Sequence, residues 1–287
     1  MIPTTLPPAV LPRASSLTDA VLAPPDVQTA ANDREALRKW LQVHLAAVGS
    51  VGGPPVKIDG YQLRAVARDE GELHVAEVFN WTSLTARRSI GLAAVQRCVD
   101  RSARTPAEAV AETVASMIAE ASTGMVRRAS PAAWLAELED GARAAAEAEA
   151  LTWATRFHLA LEWHRLLRPP TLGIADRWWD CPGVRVGVRG RADARIATEG
   201  GGQTLFTMLP GTPGLTSRVE LALAALVDIV GRPAASPPAR VVGWWPDCGR
   251  ALILSPSIEL LEETAGAVVR AVSRRRHDDV RPVVEAA

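Results

Sequence analysis

Apolar positions recur at helical spacing between Arg34 and Val48, with Leu37, Trp40, Leu41 and Leu45 on one face. The glycine- and proline-rich segment 49–55 ends that helix. Two runs with strand character follow, residues 56–66 and 72–79, and the Asp69-Glu-Gly71 turn between them predicts a hairpin. Thr82 or Ser83 then offers a side-chain oxygen to the open amides of a new helix. Thr105-Pro-Ala-Glu108 is a second helix start, with a capping box and proline in the first turn, and that helix stops near Gly124. Ser130-Pro131 opens a third, which runs to Leu167 before Pro169-Pro170. Unbroken it would be about 55 Å long, so a bend or break is expected near Gly141.

Past Pro170 the period shortens. Arg185 and Arg189 alternate with Val184, Val186 and Val188, Gly200-Gly-Gly202 marks a hairpin turn, and residues 239–245 form another strand. Asp247-Cys-Gly249 turns that strand back into residues 251–254. Ser255-Pro256 then introduces a last helix from Ile258 to about Arg274. The pattern predicts an α+β protein, with a mostly helical N-terminal region followed by an α/β C-terminal half. Four segments result: a proline-rich tail over 1–30, a helix-and-hairpin region over 31–129, the α/β core over 130–276 and a tail over 277–287.

Composition narrows the chemistry. The chain has 287 residues and is 48% apolar, enough for a sizeable core. Basic and acidic residues number 32 each, so any hold on nucleic acid must come from a local patch rather than the overall field. Cys98, Cys181 and Cys248 show no CxxC spacing and read as thiols in a reducing compartment. No apolar run is long enough for a membrane span, and the N-terminus lacks a signal-peptide pattern, so the expected setting is cytoplasmic. Nucleotide-hydrolysis loops of the GxxxxGK[ST] kind, HExxH and GxSxG are absent from the sequence.

Along an extended strand, Asp193 shares a side with Arg185, Arg189, Arg191 and Arg195. Such an aspartate is either a hard oxygen ligand for Mg²⁺ or a charge balanced by arginine. Gly190-Arg-Ala-Asp193, a hairpin, a second strand ending at Gly211 and the apolar helix beginning near Glu220 together resemble the PD-(D/E)XK nucleases, closest to the RecB-type exonuclease branch. That resemblance implies a restriction-endonuclease-like core in which acidic side chains hold Mg²⁺ or Mn²⁺ and a lysine helps activate water. Asp193 matches the first aspartate. Thr207 stands at the second acid, Leu209 at the lysine, Pro210 at the threonine and Ala224 at the helix tyrosine.

One aspartate without a second carboxylate or a lysine does not make a hydrolytic metal site. The expectation is therefore a catalytically degenerate nuclease-like protein without a cofactor, acting as a DNA-associated or scaffolding subunit of an assembly. An active nuclease with relocated ligands is the alternative. It would use Mg²⁺ or Mn²⁺ on Asp193, with Glu220, Glu199 or Asp228 as further acids and His158, Glu162 or His164 from the preceding helix. A third possibility is an interaction module without nucleic acid. Candidate binding residues are Arg87, Arg88, Arg191 and Arg195 for phosphates, and Trp244 and Trp245 for bases. Indoles serve equally well as packing, and arginine pairs as solvated surface.

Overall fold

The computed structural model describes residues 14–24, 31–48, 55–67, 81–127, 130–173, 177–214, 216–232 and 235–280. The fold is α+β, as the sequence pattern predicts. Its helices are α1 (Ala14–Leu22), α2 (Ala31–Val48), α3 (Gly60–Ala67), α4 (Ser83–Val99), α5 (Pro106–Ser122), α6 (Pro131–Glu137), α7 (Asp140–Ala160), α8 (Ser217–Gly231) and α9 (Ile258–Val280). Its strands are β1 (Val56–Ile58), β2 (Arg177–Asp180), β3 (Val186–Gly190), β4 (Ala194–Ala197), β5 (Gln203–Met208), β6 (Pro238–Trp245) and β7 (Arg250–Leu254). No helix among the described residues is long and apolar enough to cross a membrane.

Two mixed sheets organise the core. One has strand order β1-β3-β2, with β1 parallel to β3. The other runs β4-β5-β6-β7; β4 and β5 form the hairpin expected at the triple glycine, and β5 pairs in parallel with β6 across α8. The second sheet separates two apolar clusters. Leu205, Val241 and Trp245 face the first, with α2, α8, α9 and the three-stranded sheet. Phe206, Met208, Val242 and Trp244 face the other, with α1, α4, α5 and α7. A strand buried on both faces needs no polar alternation, which is why every residue of β6 is buried. Gly190 ends β3 hard against α8: a Cβ there would lie 2.7 Å from Val227 Cβ, so a larger residue would push the helix off the strand.

The helix starts hold locally. Thr82 caps α4 through a reciprocal pair with Thr85, Thr105 accepts from the Glu108 amide, and Ser130 accepts from the Ala133 amide. Glu108 reaches the Arg104 amide rather than that of Thr105, so the expected box is closed one residue early. The long third helix breaks at Leu138–Glu139, near the expected position, and ends at Ala160 rather than Leu167.

Several expectations are corrected. Part of the supposed tail is α1, whose Leu17 and Val21 are buried against the helical cluster; residues 1–13 and 25–30 lie outside the described residues. The first hairpin strand stops at Ile58. Asp59 Oδ1 accepts from the Tyr61 and Gln62 amides and starts α3, and β1 pairs with β3 instead. The second half of that hairpin falls outside the described residues. The arginine–valine strand is interrupted after Gly190, with β3 and β4 in different sheets. The final helix continues to Val280, past the expected start of the C-terminal tail. Both clusters draw on residues from either side of position 130, so the packing does not follow the boundary read at 129/130.

Candidate functional site: an arginine-lined cleft

The interruption between β3 and β4 decides where Asp193 goes. Its amide donates to Phe206 O at 2.7 Å, and its side chain turns inward and is fully buried. Oδ2 accepts from the Met208 amide at 2.7 Å, and Oδ1 is held by Arg88 Nη2 from α4. The arginine-crowded exposed face expected for this carboxylate is therefore replaced by an enclosed ion pair. Hydrogen bonds to both oxygens satisfy a charge that burial would otherwise penalise.

Beside this pair a cleft of about 650 Å³ opens at the boundary of the two clusters. One wall is α3, with Tyr61 and Arg64; the other is the start of α4, with Leu84, Arg87 and Arg88. Asp59, Arg189, Arg191, Met208 and Glu220 are also among the lining residues. Five arginines thus meet only two carboxylates in the cleft, Asp59 and Glu220. Arg88 is already paired with Asp193, and Arg87 Nη2 donates to Asp247 Oδ2 at 2.9 Å. Arg64, Arg189 and Arg191 line the cleft together with Glu220 and Asp59, and the Arg189 guanidinium also lies 5.7 Å from the centroid of the Trp178 ring.

The cleft is electrostatically crowded. Burial, then Arg191 and Arg189, push the Arg88 guanidinium down to about 8. Burial lowers Arg191 to about 10; Glu220 opposes that shift, while Arg189 and Arg64 add to it. Guanidinium does not give up its proton in proteins, so the arginines of the cleft stay charged, and Arg88 keeps Asp193 as its counter-ion. Nε of Arg64, Arg88 and Arg191 are buried without a hydrogen-bond partner among the described residues. Burial likewise raises the Glu220 carboxyl above its ordinary value, with Arg64 and Arg191 pulling it back and Asp59 pushing it further up. Arg64 Nη1 lies 3.5 Å from Glu220 Oε2.

No protein-family model matches this chain, and no curated protein matches it. The chemistry of the cleft therefore rests on its own side chains.

Of the residues singled out in the sequence, the fold brings Arg87, Arg88, Arg191 and Glu220 to the cleft and Asp193 directly behind it. Arg195 is elsewhere, clamped by both oxygens of Asp228 on α8, with Nη1 at 3.1 Å from Oδ2. Trp244 and Trp245 are 6% and 2% exposed and fill opposite clusters, so neither offers a ring face to a base. His158 is outside the cleft lining; burial lowers its pKa, and its carbonyl accepts from Trp163 Nε1 at 2.7 Å. The Thr207 hydroxyl donates to Arg191 O at 3.0 Å, and Leu209 is buried in the first cluster. Among the described residues no group of three or more His, Cys, Asp or Glu side chains is placed to hold a metal ion.

Sequence reasoning missed Arg64, Asp59, Arg189 as a cleft residue, and Asp247. Arg64 was hidden because its segment carries strand-forming residues. Asp247 reads as a turn residue, yet it ties α4 to the loop after β5 by accepting from Arg87 and, at 2.7 Å, from the Gly211 amide.

Proposed function

We propose that this cleft binds phosphate groups of nucleic acid, in a nuclease-like protein that holds its ligand without hydrolysing it and works as a subunit of a larger assembly in a cytoplasmic setting. The observation that carries the reading is the meeting of Arg64, Arg189 and Arg191 in one cleft immediately beside Asp193, whose two oxygens already have donors. The β4–β5 hairpin, the crossover helix α8 and the parallel return strand β6 are in keeping with the PD-(D/E)XK resemblance. Thr207 and Leu209 at the positions of the second acid and the lysine favour binding over hydrolysis, since neither supplies an anionic metal ligand or a proton-transfer group. A neutral chain with a local cationic cleft suits contact with a short stretch of backbone rather than wrapping of a long one.

The test is fluorescence anisotropy with labelled DNA over a salt series, paired with a cleavage assay in Mg²⁺ and in Mn²⁺. Binding that weakens as salt rises, without cleavage in either metal, is the expected result. Absence of any binding at low salt would remove the nucleic-acid reading and leave an interaction module. Metal-dependent cleavage that disappears in Glu220→Ala would favour the relocated-ligand nuclease, because Glu220 and Asp59 are the carboxylates that line the cleft.

A further inference from the structure

The rim of the cleft differs from its floor. Tyr61 on α3 is 60% exposed and Leu84 on α4 is 52% exposed, and both line the cleft together with the half-buried Trp81. Arg64 Cζ lies 5.8 Å from the centroid of the Tyr61 ring. Large apolar side chains this exposed are normally unremarkable when scattered. Here they stand on the two helices that wall a cationic cleft, α3 resting on α8 and α9, and α4 on α5 and α7.

This combination suits one polymer in particular. A cavity of about 650 Å³ is the size of a site that encloses a small ligand. A duplex keeps its bases stacked inside and offers no base face to such an opening. A single strand can splay a base onto an aromatic ring while its phosphate meets arginine, and each stacked base adds to affinity regardless of sequence. An acidic peptide would use the arginines but gains little from a flat exposed ring.

Resting on the phosphate-binding reading above, we infer that the cleft is a single-strand site: Arg64 and Arg191 take the phosphate, and a base stacks on Tyr61 at the rim, with Leu84 facing it across the mouth. Duplex nucleic acid reaches the arginines only through its outer phosphates and binds more weakly.

The experiment compares four fluorescein-labelled probes on the full chain by anisotropy at one salt concentration: oligo(dT), oligo(U), an abasic strand with the same number of phosphates, and a hairpin duplex. Oligo(dT) or oligo(U), whichever sugar is preferred, should bind about tenfold more tightly than the abasic strand. Tyr61→Ala should abolish that difference, and Tyr61→Phe should restore it, since the ring rather than the hydroxyl stacks. Tyr61 is exposed, so the variants should keep the parent melting temperature, which is checked alongside. Equal affinity for the abasic strand and the base-bearing strand overturns the single-strand inference, as does a Tyr61→Ala variant that binds like the parent. So does a polyglutamate peptide that displaces oligo(dT) as effectively as unlabelled oligo(dT). In the first two cases, weaker and less salt-dependent binding in Arg191→Ala would still support phosphate binding. Failure of every probe to bind would instead overturn the phosphate-binding reading beneath it.

Discussion

Asp193 gives up the hydration of a carboxylate for one guanidinium and one backbone amide. Removing one partner of a buried pair leaves the other charge stranded, which costs about 3–5 kcal/mol. Asp193→Ala should therefore lower unfolding free energy by about that much in urea titration, and Arg88→Ala by a similar amount; a change within about 1 kcal/mol of parent would mean the pair is solvated. Glu220 behaves oppositely. Its folded-state pKa lies above the unfolded value, because burial outweighs the pull of Arg64 and Arg191 and because Asp59 repels it. The folded state thus binds the proton more tightly than the unfolded one, and this group's contribution to stability falls as pH rises from the ordinary carboxylate value through the raised one. Glu220→Gln should remove that decline, so that its stability relative to parent improves across the same window in thermal melts taken at successive pH values. At neutral pH the same substitution takes a negative charge out of the cleft and should tighten binding of a phosphate-bearing probe, with the gain shrinking in acid, where the parent carboxyl is already neutral.

At the scale of elements, the cleft depends on how closely α4 lies on α7. A Cβ on Gly91 would fall 2.3 Å from Trp153 Cε3, closer than any side chain tolerates. Alanine is the better helix former by about 1 kcal/mol, yet here the steric effect wins. Gly91→Ala should destabilise the protein by about 1–3 kcal/mol, as overpacked cores do. It should also weaken anion binding, because the start of α4 forms one wall of the cleft. Gly141, exposed in the first turn of α7 with nothing within 4 Å of the place a methyl would occupy, is the control. Gly141→Ala should stabilise by about 0.5 kcal/mol through the unfolded chain alone and leave binding unchanged. Denaturant titration of the two variants side by side checks both signs. The capped helix starts were legible because a cap is a local matter: Thr82, Thr105 and Ser130 each reach an amide three residues away. The start of α3 was not, since Val56, Ile58 and Val66 favour a strand and only the Asp59 side chain, bonded to the next amides, redirects the backbone.

For the whole molecule, the consequential feature is that two apolar clusters share one sheet and leave a cationic cleft at their border. Nucleic-acid affinity in such a site should fall linearly on a logarithmic salt scale, with a slope of about −0.7 per phosphate neutralised on a single strand. Arg191→Ala removes one cleft guanidinium and should make that slope shallower by about 0.7, whereas Arg195→Ala, whose charge is spent on Asp228, should leave it unchanged. Anisotropy titrations at four or more salt concentrations measure both. Ligand that binds only the folded state should also raise the melting temperature of the parent, and by less in Arg191→Ala.

By itself the sequence determined what depends on near neighbours: helix caps, the Gly200-Gly-Gly202 hairpin turn and an α+β class. These rest on hydrogen bonds and spacings spanning a few residues. It also placed Arg87, Arg88, Arg191 and Glu220 among the candidates, since charged side chains of that kind stand out wherever they fall. Tertiary structure alone decided their company. Arg88 and Asp193 are 105 positions apart, and Arg87 and Asp247 are 160 apart, so no local pattern could show that both pairs form. The same holds for Trp244 and Trp245, adjacent residues that look like an exposed aromatic pair but point to opposite faces of a strand covered on both sides. Whether a charge or a ring meets solvent is set by what the rest of the chain lays over it, and that is a property of packing rather than of spacing.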